Sequence, residues 1–374
     1  MKRISIVILI LCACFGAAWG QQPAGKCVSA WTEFHWTNME RWNPCETVLN
    51  VNNVGSLSLE WSFTTQGQVW SSPAVANGVV YVGSLDSNVY ALNTVTGAKL
   101  WTYTTGWAVY SSPAVADGVV YVGSKDNNVY ALNAKTGTKL WSYTAGTWVE
   151  SSPAVAKGVV YVGSYDYNVY ALNAKTGAKL WNYTTGNIVD ASPAVAKGVV
   201  YVGSADNNVY ALNAKTGAKL WSYTTGSYVS SPAVANGVVY VGSADNNVYA
   251  LNAKTGAKLW SYTTGSGVYS TPAVANGVVY VGSYDYNVYA LNAKTGAKLW
   301  SYTTGNVVAS SPAVANGVVY VGSDDANVYA LNGSTGAKLW SYATGNEVRS
   351  SPAVANGLVY VGSWDNNVYA FGLQ

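Results

Sequence analysis

The sequence predicts an all-β fold: an eight-bladed β-propeller of four-stranded blades, closed into a ring by its first strand. Three observations predict it. First, Ser-Pro-Ala-Val-Ala, with Thr-Pro once, recurs at Ser72, Ser112, Ser152, Ser192, Ser231, Thr271, Ser311 and Ser351, in steps of 40 residues with one step of 39. Repeats of this period build propellers or helical arrays. Second, each unit is made of short β-rich runs bounded by turn residues, which excludes the helical array. Third, the repeats open with a lone fourth strand, 57–65, and close with a third strand, 367–372. Pairing those two ends completes the last blade and removes an open edge.

Composition agrees. Of 374 residues 10% are charged and 13% aromatic, with 38 Gly, as expected of a β-rich chain with tight turns. A formal charge of +3 is too small to point to nucleic acid.

Taken along the chain, residues 1–20 read as an export signal. Lys2 and Arg3 precede an apolar run from Ile4 to Ala18, and Ala18-Trp19-Gly20 offers small residues for cleavage before Gln21. The run is too short and wrongly flanked for a good spanning helix. Cleavage before Cys14 with lipidation there is the competing reading. Residues 21–56 form an N-terminal segment. It holds Cys27 and Cys45, which in an exported chain suggest one disulfide; free or metal-binding thiols are the alternative. Residues 57–374 form the propeller. In its first unit the expected strands are 70–76, 79–84, 88–93 and 98–105. Asn77-Gly78 joins the first two as a two-residue hairpin whose residues must accept positive φ. Pro73 and its equivalents stand near a strand start, where a missing N–H does least harm.

Seven times the chain carries Ala-x-Asn-x-x-Thr-Gly-x-x-x-Trp, from Ala91–Trp101 to Ala330–Trp340. This resembles the tryptophan-docking motif of quinoprotein-type (PQQ-repeat) propellers, in which Asp is commoner than Asn at the third position. The resemblance covers about residues 50–374, and the stretch from Asn53 to Trp61 also looks like the opening strand of that family. The recurrent signatures of WD-repeat and kelch propellers are not present. In physical terms Asn-x-x-Thr-Gly is a turn, and Trp61, Trp101, Trp141, Trp181, Trp221, Trp260, Trp300 and Trp340 stand once per blade, where they can wedge between neighbours. Each would remove about 150–250 Å² from water, roughly 4–6 kcal/mol gross. These Trp are read as structural.

The loops fall on two faces. One is monotonous, mostly Asn-Gly and Asn-Ala-Lys-Thr-Gly-Ala-Lys, and carries a ring of lysines from Lys99 to Lys338. The ring reads as a solvated rim; contact with an anionic surface is the alternative. The other face varies from blade to blade. The position leading into strand one holds Trp70, Tyr110, Glu150, Asp190, Tyr269, Ala309 and Arg349, and the fifth unit has lost a residue there. The position before the constant turn Asp holds Leu85, Lys125, Tyr165, Ala205, Ala244, Tyr284, Asp324 and Trp364, and Trp107, Trp148, Tyr228 and Glu347 lie nearby. Variation confined to one face of a repeat scaffold marks a candidate ligand-binding surface; loop drift gives the same pattern without a function. The constant Asp86 and its equivalents read as turn-formers.

The resemblance also implies an enzymatic reading, a PQQ-dependent alcohol dehydrogenase with calcium, a catalytic Asp and often a disulfide between adjacent Cys. No Cys follows Cys45, many of the acids are copies at one repeated position, and the lone His35 lies ahead of the propeller. Glu150, Asp190 and Arg349 are the best candidates for a one-off charged pocket. The expectation is therefore an exported, periplasmic, cell-surface or extracellular monomer. It binds a protein or glycan on the variable face, with no catalytic residue, metal or cofactor. An outer-membrane assembly scaffold and a PQQ enzyme stand as alternatives.

Overall fold

A computed structural model describes residues 30–34 and 40–374; residues 1–20, read above as an export signal, and Cys12, Cys14, Cys27 and His35 lie outside the described residues. Cys45 is disulfide-bonded.

Eight antiparallel sheets follow one another around the ring. In blade 1 the strands run Ala74–Ala76, Val79–Gly83, Asn88–Asn93 and Lys99–Thr104, from the axis outward. Blades 2 to 7 repeat this pattern. Blade 8 is assembled from both ends of the repeat region: Leu57–Thr64 pairs antiparallel with Asn367–Leu373, from Leu57 opposite Leu373 to Thr64 opposite Asn367. Alternation sets the burial. Val80, Val82, Leu92 and Val89 are sealed between sheets while the outermost strand keeps every second residue in water.

The innermost strand is shorter than the sequence suggests, starting at Ala74 and not at Trp70. Residues 71–73 make ties to other parts of the ring instead. The Ser72 N–H donates to Ser112 Oγ of the next blade at 2.9 Å. The same bond recurs at 2.8–3.0 Å at six of the other seven seams, ending with Ser351 N–H on Ser72 Oγ. Ser71 Oγ accepts from Gly83 N–H of its own blade, and Pro73 has no N–H to give a ladder.

Asn77 and Gly78 both have positive φ, 51° and 77°, which the hairpin twist demands. The turn between strands two and three also uses a left-handed residue. Asn127, Asn207, Asn246 and Asn366 hold it in four blades, but Ala326 holds it in blade 7 at φ 67°. Asn accepts this conformation and Ala resists it. Ala326→Asn is therefore expected to stabilise the protein by about 0.5 kcal/mol, read as a higher urea midpoint; a lower midpoint would contradict this account of the turn.

Neighbouring blades are joined by the repeated Trp. Each indole Nε1 donates to a main-chain carbonyl at 2.8–3.0 Å, Trp61 to Thr94, Trp101 to Ala134 and so on. The ring lies on the next blade's Thr-Gly turn: a Cβ at Gly97, where φ is +68°, would meet Trp61 carbons at 2.7 Å. Blade 8 has no such turn. There Trp340 donates to Leu57 O and packs edge-on against Phe371, centroids 5.0 Å apart.

The N-terminal segment belongs to the ring as well. Trp31 exchanges two backbone hydrogen bonds with Val75 of blade 1, and Thr32 O accepts from Val115 of blade 2. Glu33 Oε2 accepts from Val155 N–H of blade 3. Farther on, Glu40 O and Arg41 O accept from Val274 and Val314 of blades 6 and 7. Trp42–Asn43 adds a parallel fifth strand to blade 7, and Asn43 Nδ2 reaches Val354 O of blade 8. Residues 31–33 and 40–43 thus lie inside the channel, against the innermost strands of six blades. The segment leaves over the lysine face, where Glu46 and Leu49 touch the Asn-Gly turns of blades 8 and 7.

Candidate functional site

The variable residues converge on the channel mouth opposite that exit. The constant carboxylates do not contribute. Asp86 accepts from Tyr90 OH at 2.7 Å, Gln66 N–H at 2.8 Å and Asn88 N–H at 3.0 Å, so its lone pairs are spent on the turn and on the strand arriving from the previous blade. The other seven blades repeat this, with Tyr to Asp at 2.6–2.7 Å.

Around the mouth the side chains meet across seams. Trp364 of blade 8 stacks on Trp70 of blade 1, centroids 4.3 Å apart, and Trp70 meets Tyr110 of blade 2 edge-on at 5.2 Å. Trp148 lies 5.5 Å from Tyr165 and 5.8 Å from Trp107, whose ring is 53% exposed. Tyr269 lies 5.6 Å from Tyr228 and 4.4 Å from Tyr284.

Two cations are seated among these rings. Lys125 Nζ binds Glu150 at 2.9 Å and lies over Tyr110 and Trp148, 4.3 and 4.4 Å from their centroids. Glu150 also accepts from Tyr165 OH at 2.9 Å. Arg349 binds Asp324 at 2.8 Å and Glu347 at 3.1 Å, over Trp70 and Trp364. Glu150, Asp190 and Arg349 therefore do not form one pocket. Arg349 is committed to Asp324 and Glu150 to Lys125, each pairing built from a residue before the turn Asp and one leading into the next blade.

Asp190 differs. Tyr228 OH donates to its carboxylate, yet Oδ1 is buried with no hydrogen-bond partner. Burial, reinforced by the nearby Glu150 charge, pushes this carboxyl up to about 6, and burial raises the Tyr228 phenol well above its usual range. The lost residue of blade 5 explains Tyr228. With no side chain at the position leading into strand one, Tyr228 turns toward Asp190 of blade 4. Sequence reading placed Tyr228 only nearby; the 39-residue step was the signal that could have singled it out.

The far end of the channel is occupied. Arg41 is fully buried, its guanidinium donating to Pro312 O at 2.9 Å, Pro352 O at 3.2 Å, Ser311 O at 3.4 Å and Phe34 O, and lying over Trp31 and Phe34. Burial alone lowers Arg41 to about 9 and pushes Glu40 up to about 7; it also pushes Glu33 up to about 8, against the Val155 N–H bond. The described residues 30–34 and 40–43 thus occupy the channel behind the variable-face mouth, the cup. Among the described residues no three His, Cys, Asp or Glu side chains converge as a metal site, and no helix is long and apolar enough to cross a membrane.

A family model described as the β-propeller of beta-alanine-activating enzyme matches residues 116–316, more than half of the chain. A second, a PQQ-repeat model described as outer membrane protein assembly factor BamB, matches residues 55–107 and 304–373. The chain belongs to the PQQ-repeat β-propellers. No curated protein matches it. Among solved structures, this PQQ-repeat propeller is similar to a europium-containing methanol dehydrogenase (16% identity, 92% of this chain and 98% of that one, TM-score 0.79). It is also similar to BamB from Moraxella catarrhalis (21%, 84% and 99%, 0.74) and to the computationally designed Ika8 protein (22%, 83% and 97%, 0.76). At these identities the likeness is one of fold.

Proposed function

We propose that the protein is an exported, non-enzymatic binding propeller whose protein or glycan ligand enters the cup from the variable face. One observation carries this reading. The residues that distinguish otherwise near-identical blades gather at one mouth, in contact with one another, while residues 30–34 and 40–43 occupy the channel behind it. Aromatic rings with a few fixed charges at such a mouth suit recognition.

Cofactor-free action is part of the proposal. Calcium needs six to eight converging oxygens, and the mouth carboxylates Glu150 and Asp324 are tied to Lys125 and Arg349. The residues present do not fit calcium-bound PQQ. A second reading, an assembly scaffold in the cell envelope, is favoured by the match to the assembly-factor model.

The test is array binding of the full chain to peptides and glycans, beside a variant carrying Trp70→Ala, Tyr269→Ala and Trp364→Ala. The expected result is binding at least tenfold weaker in the variant. Saturable binding of PQQ plus Ca²⁺ with dye-linked alcohol oxidation would overturn the proposal.

A further inference from the structure

The mouth builds one arrangement three times and completes it twice. At the first site an acid, Glu150, holds a cation, Lys125, against the faces of Tyr110 and Trp148. At the second, Asp324 holds Arg349 against Trp70 and Trp364. At the third, Asp190 has rings around it. Tyr228 OH bonds to it, Tyr165 is close enough to feel its charge, and Tyr269 lies 5.6 Å from Tyr228. Yet among the described residues the ion pairs of the mouth leave Asp190 without a cation. In each completed site the residue before the turn Asp pairs with the residue leading into the next blade. Tyr165 stands at the corresponding position for Asp190, so among the described residues that position supplies no positive charge.

Two further observations point to a ligand. Asp190 Oδ1 is a buried acceptor with no donor, a costly state for a carboxylate unless something fills it. The position before the turn Asp also falls to alanine at Ala205 of blade 4 and at Ala244 of blade 5, the blade that lost a residue. These are the two smallest side chains in that ring of eight positions.

We infer that Asp190, with Tyr165 and Tyr228, forms a subsite for an organic ammonium group, which the ligand brings to complete the third acid–cation–aromatic arrangement. Ring faces and a desolvated carboxylate are the chemistry that selects an ammonium over a neutral group. The inference rests on the binding reading above. It deepens that reading by naming the charge of the ligand.

The experiment is titration of the full chain, followed by heat and by the fluorescence of Trp148, which lies beside Tyr165. Three probes are used: Nα-acetyl-lysine amide, glucosamine, and the Nε-acetylated lysine amide as the neutral control. The ammonium probes are expected to bind at least tenfold more tightly than the neutral one. Asp190→Asn is expected to erase that preference without changing the neutral probe. Asp190→Asn is near-isosteric and removes a charge that burial disfavours, so it is expected to melt no lower than the parent. Tyr165→Lys is the second variant. It places a cation where Lys125 stands for Glu150 and is expected to abolish ammonium binding by filling the subsite from within. The tighter of lysine amide and glucosamine identifies the source as peptide or amino sugar. Equal binding of charged and neutral probes, or an unchanged preference in Asp190→Asn, overturns the subsite while leaving the cup reading standing. Absence of binding by all three overturns the subsite too. The cup reading is then decided by the array variants, which leave Asp190 in place.

Discussion

Phe371→Ala is expected to cost about 4 kcal/mol, more than the same truncation at the equivalent leucine of any other blade. Seven blades hold Leu at this position, Leu212 among them, and Leu→Ala there falls near 3 kcal/mol. Phe371 is fully buried and lies 5.0 Å from Trp340, 4.8 Å from Tyr342 and 5.9 Å from Tyr369. The larger ring is needed because blade 8 has no Thr-Gly turn under Trp340. Phe371 takes its place as the surface on which that indole rests. The strand carrying it is also one partner in the pairing of Leu57–Thr64 with Asn367–Leu373, so the cavity opens in the seam that holds the ring shut. Urea unfolding of Phe371→Ala and Leu212→Ala in the same chain checks this. A smaller loss for Phe371→Ala would mean that the seam is not specially dependent on it.

Arg41→Ala is expected to cost about 3 kcal/mol, because it strips hydrogen bonds from three buried carbonyls and a part-buried one at once. The loss is local before it is global. The amides of Val75, Val115, Val274 and Val314 donate to residues 31–41, and they can exchange with solvent once that segment lifts. Their hydrogen exchange is expected to accelerate together by on the order of 100-fold, while amides in the middle of blades 4 and 5, such as Tyr210 and Tyr249, change little. Uniform acceleration over all blades would show that Arg41 supports the whole ring and not the seating of this segment.

Most of the ring was legible in the sequence for a simple reason. Local signals repeated eight times reinforce one another, and Asn77-Gly78 or Asn93–Trp101 would each be weak alone. The pairing of the two ends followed from counting strands. Other features depend on placement that no local signal encodes. The strand expected over 70–76 lost its first four residues to contacts made by Ser71 and Ser72 and to Pro73. The seating of residues 30–34 and 40–43 in the channel has no periodic trace, since Trp31, Arg41 and Asn43 are anchored by backbone groups that any sequence presents. At the mouth the variable positions could be enumerated, but not their pairing. Arg349 could be seen as a candidate partner of Glu150 and Asp190; across the seam it meets Asp324 instead, because a turn residue of one blade lies beside the residue leading into the next.

The seam within blade 8 also sets the order of events in time. The outer strand of that blade is the earliest part of the propeller to be made, and its partner follows some 300 residues later, as in the Thr64–Asn367 contact with a separation of 303. Contacts so distant along the chain are formed late, because their closure entropy is paid before they return anything. Until Leu373 is available, residues 57–64 are an unsatisfied edge in a chain whose blades present nearly identical seats. Folding of this protein is therefore expected to be slow, and open to wrong registers and to exchange of the first strand between two molecules. Once shut, the same topology acts in reverse. No blade can leave without breaking the seam, so unfolding is expected to be slow and the native ring long-lived.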